Sequence, residues 1–259
     1  VSGAANRRKR SSAEEGRRLL LDAGRELAHE QPAGWPLAHI RLTDVAQRAG
    51  VTAGALYHYW DTQEDYRDDL LDDLLSPERF PPPATVSELL SAMEEEGAPI
   101  EELVRLGTEA EFRALEDSPD LRVLMAMWAA NDPTVNRRIA VQYGASGDRW
   151  AGFYEATCRY YGLEIRPPFT VEMVATILAA LTDGLVVRAS VDPDAVPRTL
   201  PQVVESGETL PWGLLGCALL AFLSTLSRPV GSDEDLWGLI DRLRSCASGQ
   251  DDRLPPDEP

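Results

Sequence analysis

The stretch from Gly50 to Trp60 reads GVTAGALYHYW and ends in four consecutive ring-bearing residues, Tyr57, His58, Tyr59 and Trp60. Residues of these types suit an aromatic core, a stacking platform for a cofactor, or a surface that touches DNA. The stretch holds no lysine or arginine, in a chain whose formal net charge is -18. Other candidate chemistry is sparse. Asp68-Asp69 and Asp72-Asp73 offer carboxylates in pairs, yet such a run suits a solvated helix face better than acid–base catalysis. Cys158, Cys217 and Cys246 are far apart and fit neither zinc spacing nor a disulfide framework, so a reducing cytosol is expected. His29 and His39 are isolated and suit surface or cap positions. The sequence has no metal-ligand spacing, nucleophile elbow or phosphate loop, so no cofactor, no metal and no enzyme activity are expected. The densest cationic cluster is Arg7-Arg8-Lys9-Arg10.

Charge is uneven along the chain. Residues 1–60 carry nine Arg and Lys against six Asp and Glu, a local +3, so the remaining residues carry -21. A basic N-terminal part on an acidic body hints at a segment that faces nucleic acid. The acidity argues against a protein that coats nucleic acid or an anionic membrane over its whole surface. With 259 residues, 44% hydrophobic and 26% charged, the chain can bury one substantial core or a small domain beside a larger one. Thr209 to Ser227 is uncharged and approaches the length of a membrane span, but Pro211 suggests a shorter helix that starts there. A buried helix, and no membrane partner, is the expectation.

The elements that must position these residues are helices. Residues 1–12 are polar and basic and read as a flexible arm. From Ala13, Leu19, Leu20, Ala23, Leu27 and Ala28 recur at helical spacing, until QPAGWP at 31–36 stops the pattern. Further helices are expected at about 43–49, 53–59 and 63–75, followed by a proline-rich linker over 76–84. Beyond it come helices at 85–96, 100–117, 119–131, 134–162, 170–190, 211–227 and 232–247, several opened by proline. Residues 191–210 read as a long polar connection, and 248–259 as a disordered tail. The fold class is all-α, with 13–75 as one domain and 85–247 as a larger one.

Within this frame Thr43 opens one helix, whose inner face is Leu42, Val45, Ala46 and Ala49. Gly50 stands where a tight turn needs a positive φ, Val51 reads as its apolar plug, and Thr52 caps the next helix. Leu56 and Trp60, four apart, share the buried face. This is the spacing of a helix-turn-helix. The pattern D-V-A-x-x-A-G-V-T-x-G-A-L-Y-x-Y-W resembles the N-terminal domain of the TetR family of transcriptional repressors, over about residues 13–75. ILAALTDGLVVRASVDPD, residues 177–194, is similar to the dimerisation helix common in such proteins. The resemblance implies DNA contacts from Thr43, Thr52, Ala53, Gly54, Ala55, Tyr57, His58 and Tyr59. Hydroxyls and the imidazole would meet phosphates or base edges, and alanine methyls the thymine methyl. The chain departs from the family in two places. Gln63 stands where a lysine usually contacts phosphate, and the connection PAGWPLAHIR is longer than usual. The helix start capped by Thr62 can supply part of the phosphate contact. Arg7, Arg8, Lys9 and Arg10 then read as an arm along the minor groove or phosphates, or else as a solubilising tail.

For the larger domain the resemblance implies an effector pocket and a homodimer. Phe112, Met125, Trp128, Tyr143, Trp150 and Tyr154 are the candidates for a mostly apolar pocket, against the plainer reading that they are core. Helices 170–190 and 211–227 carry small residues on wide apolar faces and are expected to build a four-helix dimer interface. The expected function is a ligand-responsive, cytoplasmic repressor that binds a pseudo-palindromic DNA operator as a homodimer. The alternative is a ligand- or protein-binding module of the same fold that has lost DNA binding.

Overall fold

The structure is a computed structural model and describes residues 2–30, 37, 39–80, 88, 91, 97, 99–203 and 209–248. The side chains of residues 1–12, 202–208 and 243–259 lie outside the described residues, as do the expected helix at 85–96, apart from the helical Glu88 and Ser91, and the expected tail beyond Ser248. The described chain is helical, with two small two-stranded sheets, and divides into two compact units. One comprises Val1–Pro81 and Asp117–Ser146, the other Pro82–Glu116 and Gly147–Pro259.

In the first unit, α1 (Ser2–Glu30) packs on α2 (Leu42–Ala49) and α4 (Gln63–Leu74), with α3 (Ala53–Leu56) beside α2. The backbone of α1 is helical from Ser2, eleven residues before the expected start, so the expected irregular arm is replaced by helix. The run NRRKRSSAEEGRR has no proline, and its long straight side chains favour helix. Leu20, Leu21, Ala23 and Ala28 face inward, while Leu19 is exposed. The long connection after α1 contributes Leu37 and Ile40 to the core. Tyr66 is fully buried, and its hydroxyl donates to the Leu20 carbonyl at 2.9 Å. α4 starts with a capping box: the Asp65 amide donates to Thr62 Oγ1 at 3.0 Å and the Thr62 amide to Asp65 Oδ2 at 2.9 Å.

Two further elements join this unit rather than the C-terminal one in which the sequence reading put them. α5 (Ile100–Glu116) belongs to the second unit, but α6 (Pro119–Ala129) and the first half of α7 (Pro133–Tyr160) belong to the first. The cause is local chemistry. His29 of α1 meets Asp120 of α6 at 2.7 Å, and Arg138 of α7 reaches Asp68 and Asp72 of α4. Leu121, Val123, Leu124 and Met127 are the buried face of α6. The acidic run of α4 is solvated at Asp68 and Asp72, as expected, but it is also paired throughout. Its i, i+1, i+4, i+5 spacing splits the carboxylates, with Asp69 and Asp73 taken by Arg17, Arg25 and Arg79, and Asp68 and Asp72 by Arg138.

In the second unit α5 packs on α8 (Val171–Val191) and α9 (Leu214–Leu226), around Val104, Val174, Leu178, Trp212, Leu219 and Leu226. The expected helix at 211–227 begins later. Thr209–Trp212 is strand β3, paired antiparallel with β2 (Leu200–Val203), and Gly213 is the cap of α9. Pro211 sits in that ribbon, opposite Pro201, not in a first helical turn. β1 (Leu163–Ile165) pairs with β4 (Ser227–Pro229) and brackets α9 before α10 (Leu236–Ser248). Arg166 locks this corner. Its side chain is 5% exposed and donates to the carbonyls of Thr225, Ser227 and Glu234 and to the Glu234 carboxylate.

Candidate nucleic-acid interface

The turn between α2 and α3 is closed by backbone alone. Gly50 has φ 69°, its amide donates to the Gln47 carbonyl at 3.2 Å, and the Val51 amide donates to Ala46 at 2.9 Å. This pair of bonds is a Schellman motif, and a side chain at Gly50 would be strained by φ rather than by space. Two cap expectations change. α2 is capped at Arg41, so Thr43 lies inside the helix, exposed, and Thr52 caps α3 by position without a side-chain bond. Val51, expected to plug the turn, is 37% exposed because the Schellman bonds close it without a plug.

α3 is a single turn, shorter than the expected 53–59, and Tyr57 to Tyr59 continue it as tight turns. Leu56 and Trp60 are buried as expected. Thr52, Gly54, Tyr57 and His58 are exposed, and Ala53 and Ala55 are half-buried. Tyr57 stands out at 59% exposure. Tyr59 differs. It is half-buried, with its hydroxyl end against Gly16 of α1. Gln63 is half-buried as the first residue of α4.

Behind this surface stands a fixed aromatic support. Trp60 packs edge-on to Tyr66 at 4.9 Å and tilted to Tyr59 at 5.6 Å. Its indole N–H donates to Asp69, the carboxylate that also pairs with Arg17, and the Arg17 guanidinium lies 5.7 Å from the ring centre. Much of the charge of this unit is thus paired within it. Arg48 pairs with Glu26 and Glu30, and its hydrogen bond holds the Glu30 carboxyl below the usual range. Arg18 and Arg41 are exposed and have no ion pair among the described residues. Asp44, Asp61, Glu64 and Asp65 are exposed acids on α2 and at the start of α4. The side chains of Arg7, Arg8, Lys9 and Arg10 lie outside the described residues.

The six effector candidates are divided between the two units. Met125, Trp128 and Tyr143 belong to the first unit, with Trp128 63% exposed, and Phe112, Trp150 and Tyr154 to the second. In the second, Trp150 and Tyr154 stack at 5.8 Å, and Phe153 meets both edge-on. Phe112 is buried under the Arg198 guanidinium at 4.2 Å, beside a small cleft lined by Thr108, Glu109, Pro197 and Gly213. Arg198 lies in the stretch read as a long polar connection, where no helical period signals a role. Glu111 is a second feature the sequence did not reveal. Burial, and next the charge of Asp183, push its carboxyl up to about 7. Burial, and then the charge of Glu111, also raise the Tyr154 phenol. A lone glutamate on a helix carries no sequence sign of such burial.

Residues 99–206 match the family model of the C-terminal domain of BetI-type transcriptional repressors. No curated protein matches the chain. Among solved structures, Salmonella enterica GusR is similar in fold, with a TM-score of 0.52 and 18% identity, over 82% of this chain and 95% of that one. A TetR-family transcriptional regulator from Mesorhizobium loti is similar with a TM-score of 0.52 and 13% identity, over 69% of this chain and 85% of that one.

Proposed function

We propose that this chain, which belongs to the TetR family of transcriptional regulators, is a ligand-responsive repressor that binds its operator as a homodimer in the cytoplasm. The observation that carries this reading is the α2–α3 pair. A Schellman turn joins the two helices, and an uncharged, exposed edge of Thr52, Gly54, Tyr57 and His58 stands on a buried aromatic support. Tyr57 and His58 offer donors to phosphates and base edges, and Thr43, Ala53, Ala55 and Gln63 line the same approach. Arg7, Arg8, Lys9 and Arg10 add counterion release along the flanking backbone.

Dimer formation through α8 and α9 is supported by surface that a lone chain leaves uncovered. α8 is apolar enough and long enough to cross a membrane, yet only 33% of its most apolar window is buried. Met173, Val187 and Val191 on α8 and Phe222 on α9 are exposed. A second copy covers these faces without any membrane, and places two recognition turns about one helical turn of DNA apart. For the effector, the aromatic group of Trp150 and Tyr154, with Phe112, is the best apolar lining in the second unit. Effector binding favours a conformer in which α4 shifts. α4 carries Asp69, so the shift disturbs the support of Trp60 and the half-site spacing.

The test is a footprint of purified protein on the DNA upstream of its own gene, with its mass in solution measured in parallel. Protection of two half-sites by a dimer is the expected result, and a monomer without selective binding contradicts it. The exposed acids Asp44, Asp61, Glu64 and Asp65 favour the second reading, a module that no longer binds DNA, and that second outcome is its signature.

A further inference from the structure

α1 has glycines at positions 16 and 24, in the body of a helix, where each costs about 1 kcal/mol relative to alanine. Both are occupied from outside. A Cβ on Gly24 would collide with the Tyr66 hydroxyl and with Leu70, and a Cβ on Gly16 would collide with the Tyr59 hydroxyl. Eight residues of helix separate the two notches by roughly 12 Å. A row of rings, Tyr59, Trp60 and Tyr66, bridges that distance, each packed on the next, with the two end hydroxyls at the two notches. The Trp60 indole in the middle is pinned by Asp69 under Arg17. Tyr59 is thus committed to α1, while Tyr57, two residues earlier, stands in solvent.

We propose that Tyr59 is a positioning residue and not a DNA contact: seated at Gly16, it sets how far the recognition turn stands from α1, and it leaves Tyr57 and His58 to meet the operator. This rests on the DNA-binding reading above. A tyrosine ring is rigid beyond its second torsion, so the hydroxyl cannot retreat from a new methyl alone. The whole ring must swing, and its packing on Trp60 at 5.6 Å passes the displacement to the turn at residues 57–59. Sequence-selective contacts depend on that placement, whereas non-selective attraction to phosphates does not.

The experiment uses the full chain, its footprinted operator and a random duplex at one fixed salt concentration, with thermal unfolding as a control. Gly16→Ala is expected to lose about tenfold in operator affinity, the scale of one lost base contact, while its affinity for the random duplex and its unfolding temperature change little. Tyr59→Phe keeps the ring and is expected to stay within about threefold of the parent, as no phosphate bond is lost. The double variant Gly16→Ala with Tyr59→Phe removes the hydroxyl clash, leaves the methyl a tight 3.0 Å from the ring tip, and is expected to recover part of the loss. The proposal is overturned if Tyr59→Phe loses as much as Tyr57→Phe, if Gly16→Ala binds the operator like the parent, or if the double variant is no better than Gly16→Ala. Failure of the parent chain to bind any operator would overturn the DNA-binding reading itself, and this inference with it.

Discussion

Asp68, Asp69, Asp72 and Asp73 on α4 all face guanidinium groups, whereas Glu111 on α5 is half-buried near Asp183 with no ion pair among the described residues. The first set fixes the recognition elements, because Asp69 holds both Arg17 of α1 and the indole of Trp60. The second destabilises its unit when charged, because nothing positive offsets the lost hydration. The contrast shows that a net charge of -18 is no guide to where charge acts. Acidic residues can serve the first unit by pairing its arginines away from the uncharged edge of Thr52, Gly54, Tyr57 and His58.

The largest test of the paired side is Arg166, the buried guanidinium of the second unit. Arg166→Met strands the Thr225 and Ser227 carbonyls, while Glu234 keeps Arg228 on its carbonyl and Arg242 on its carboxylate, and is expected to cost about 2–4 kcal/mol in thermal or denaturant unfolding. Next, Asp69→Ala frees Arg17 and leaves the N–H of Trp60, a residue only 4% exposed, without its acceptor. A loss of about 2 kcal/mol is expected, together with weaker operator binding, since Trp60 supports the turn. Unchanged stability in that variant breaks the claim that paired acids organise the unit.

Glu111→Gln probes the unpaired side, and here the sign reverses. The folded pKa, about 7, lies above the ordinary 4.5, so the proton is held more tightly by the folded chain. Stability from this group is full below about pH 4.5 and is lost as pH rises through 7. Above that range folding buries a charge near Asp183. Glu111→Gln is therefore expected to be more stable than the parent by on the order of 1–2 kcal/mol near pH 8, with the gain fading toward about pH 5. The smallest effect belongs to Asp72→Ala. Its carboxylate is 66% exposed in the pair with Arg138, so a change within about 0.5 kcal/mol is expected.

Much of the first unit was legible in the sequence because its signals are local. Gly50 needs a positive φ, Leu56 and Trp60 share a helical face, and Thr62 caps the helix that follows, all within short windows. What escaped depends on partners distant in sequence. The assignment of Asp117–Ser146 to the first unit follows from pairs such as His29 with Asp120, 91 residues apart. Tyr59 looked equivalent to Tyr57 until Gly16 was seen to receive its hydroxyl. The β2–β3 ribbon was invisible because its prolines erase both helical and alternating patterns. The aromatic candidates were gathered by residue type, which carries no information on the unit each belongs to.

The central claim is that an uncharged edge led by Tyr57 reads DNA. The most direct measurement is operator affinity of the full chain and of Tyr57→Ala across a range of salt concentrations. The account predicts salt-sensitive, selective binding by the parent chain and a loss of about tenfold or more in Tyr57→Ala, with its fold unchanged. Equal affinity of the two proteins for the operator would contradict it.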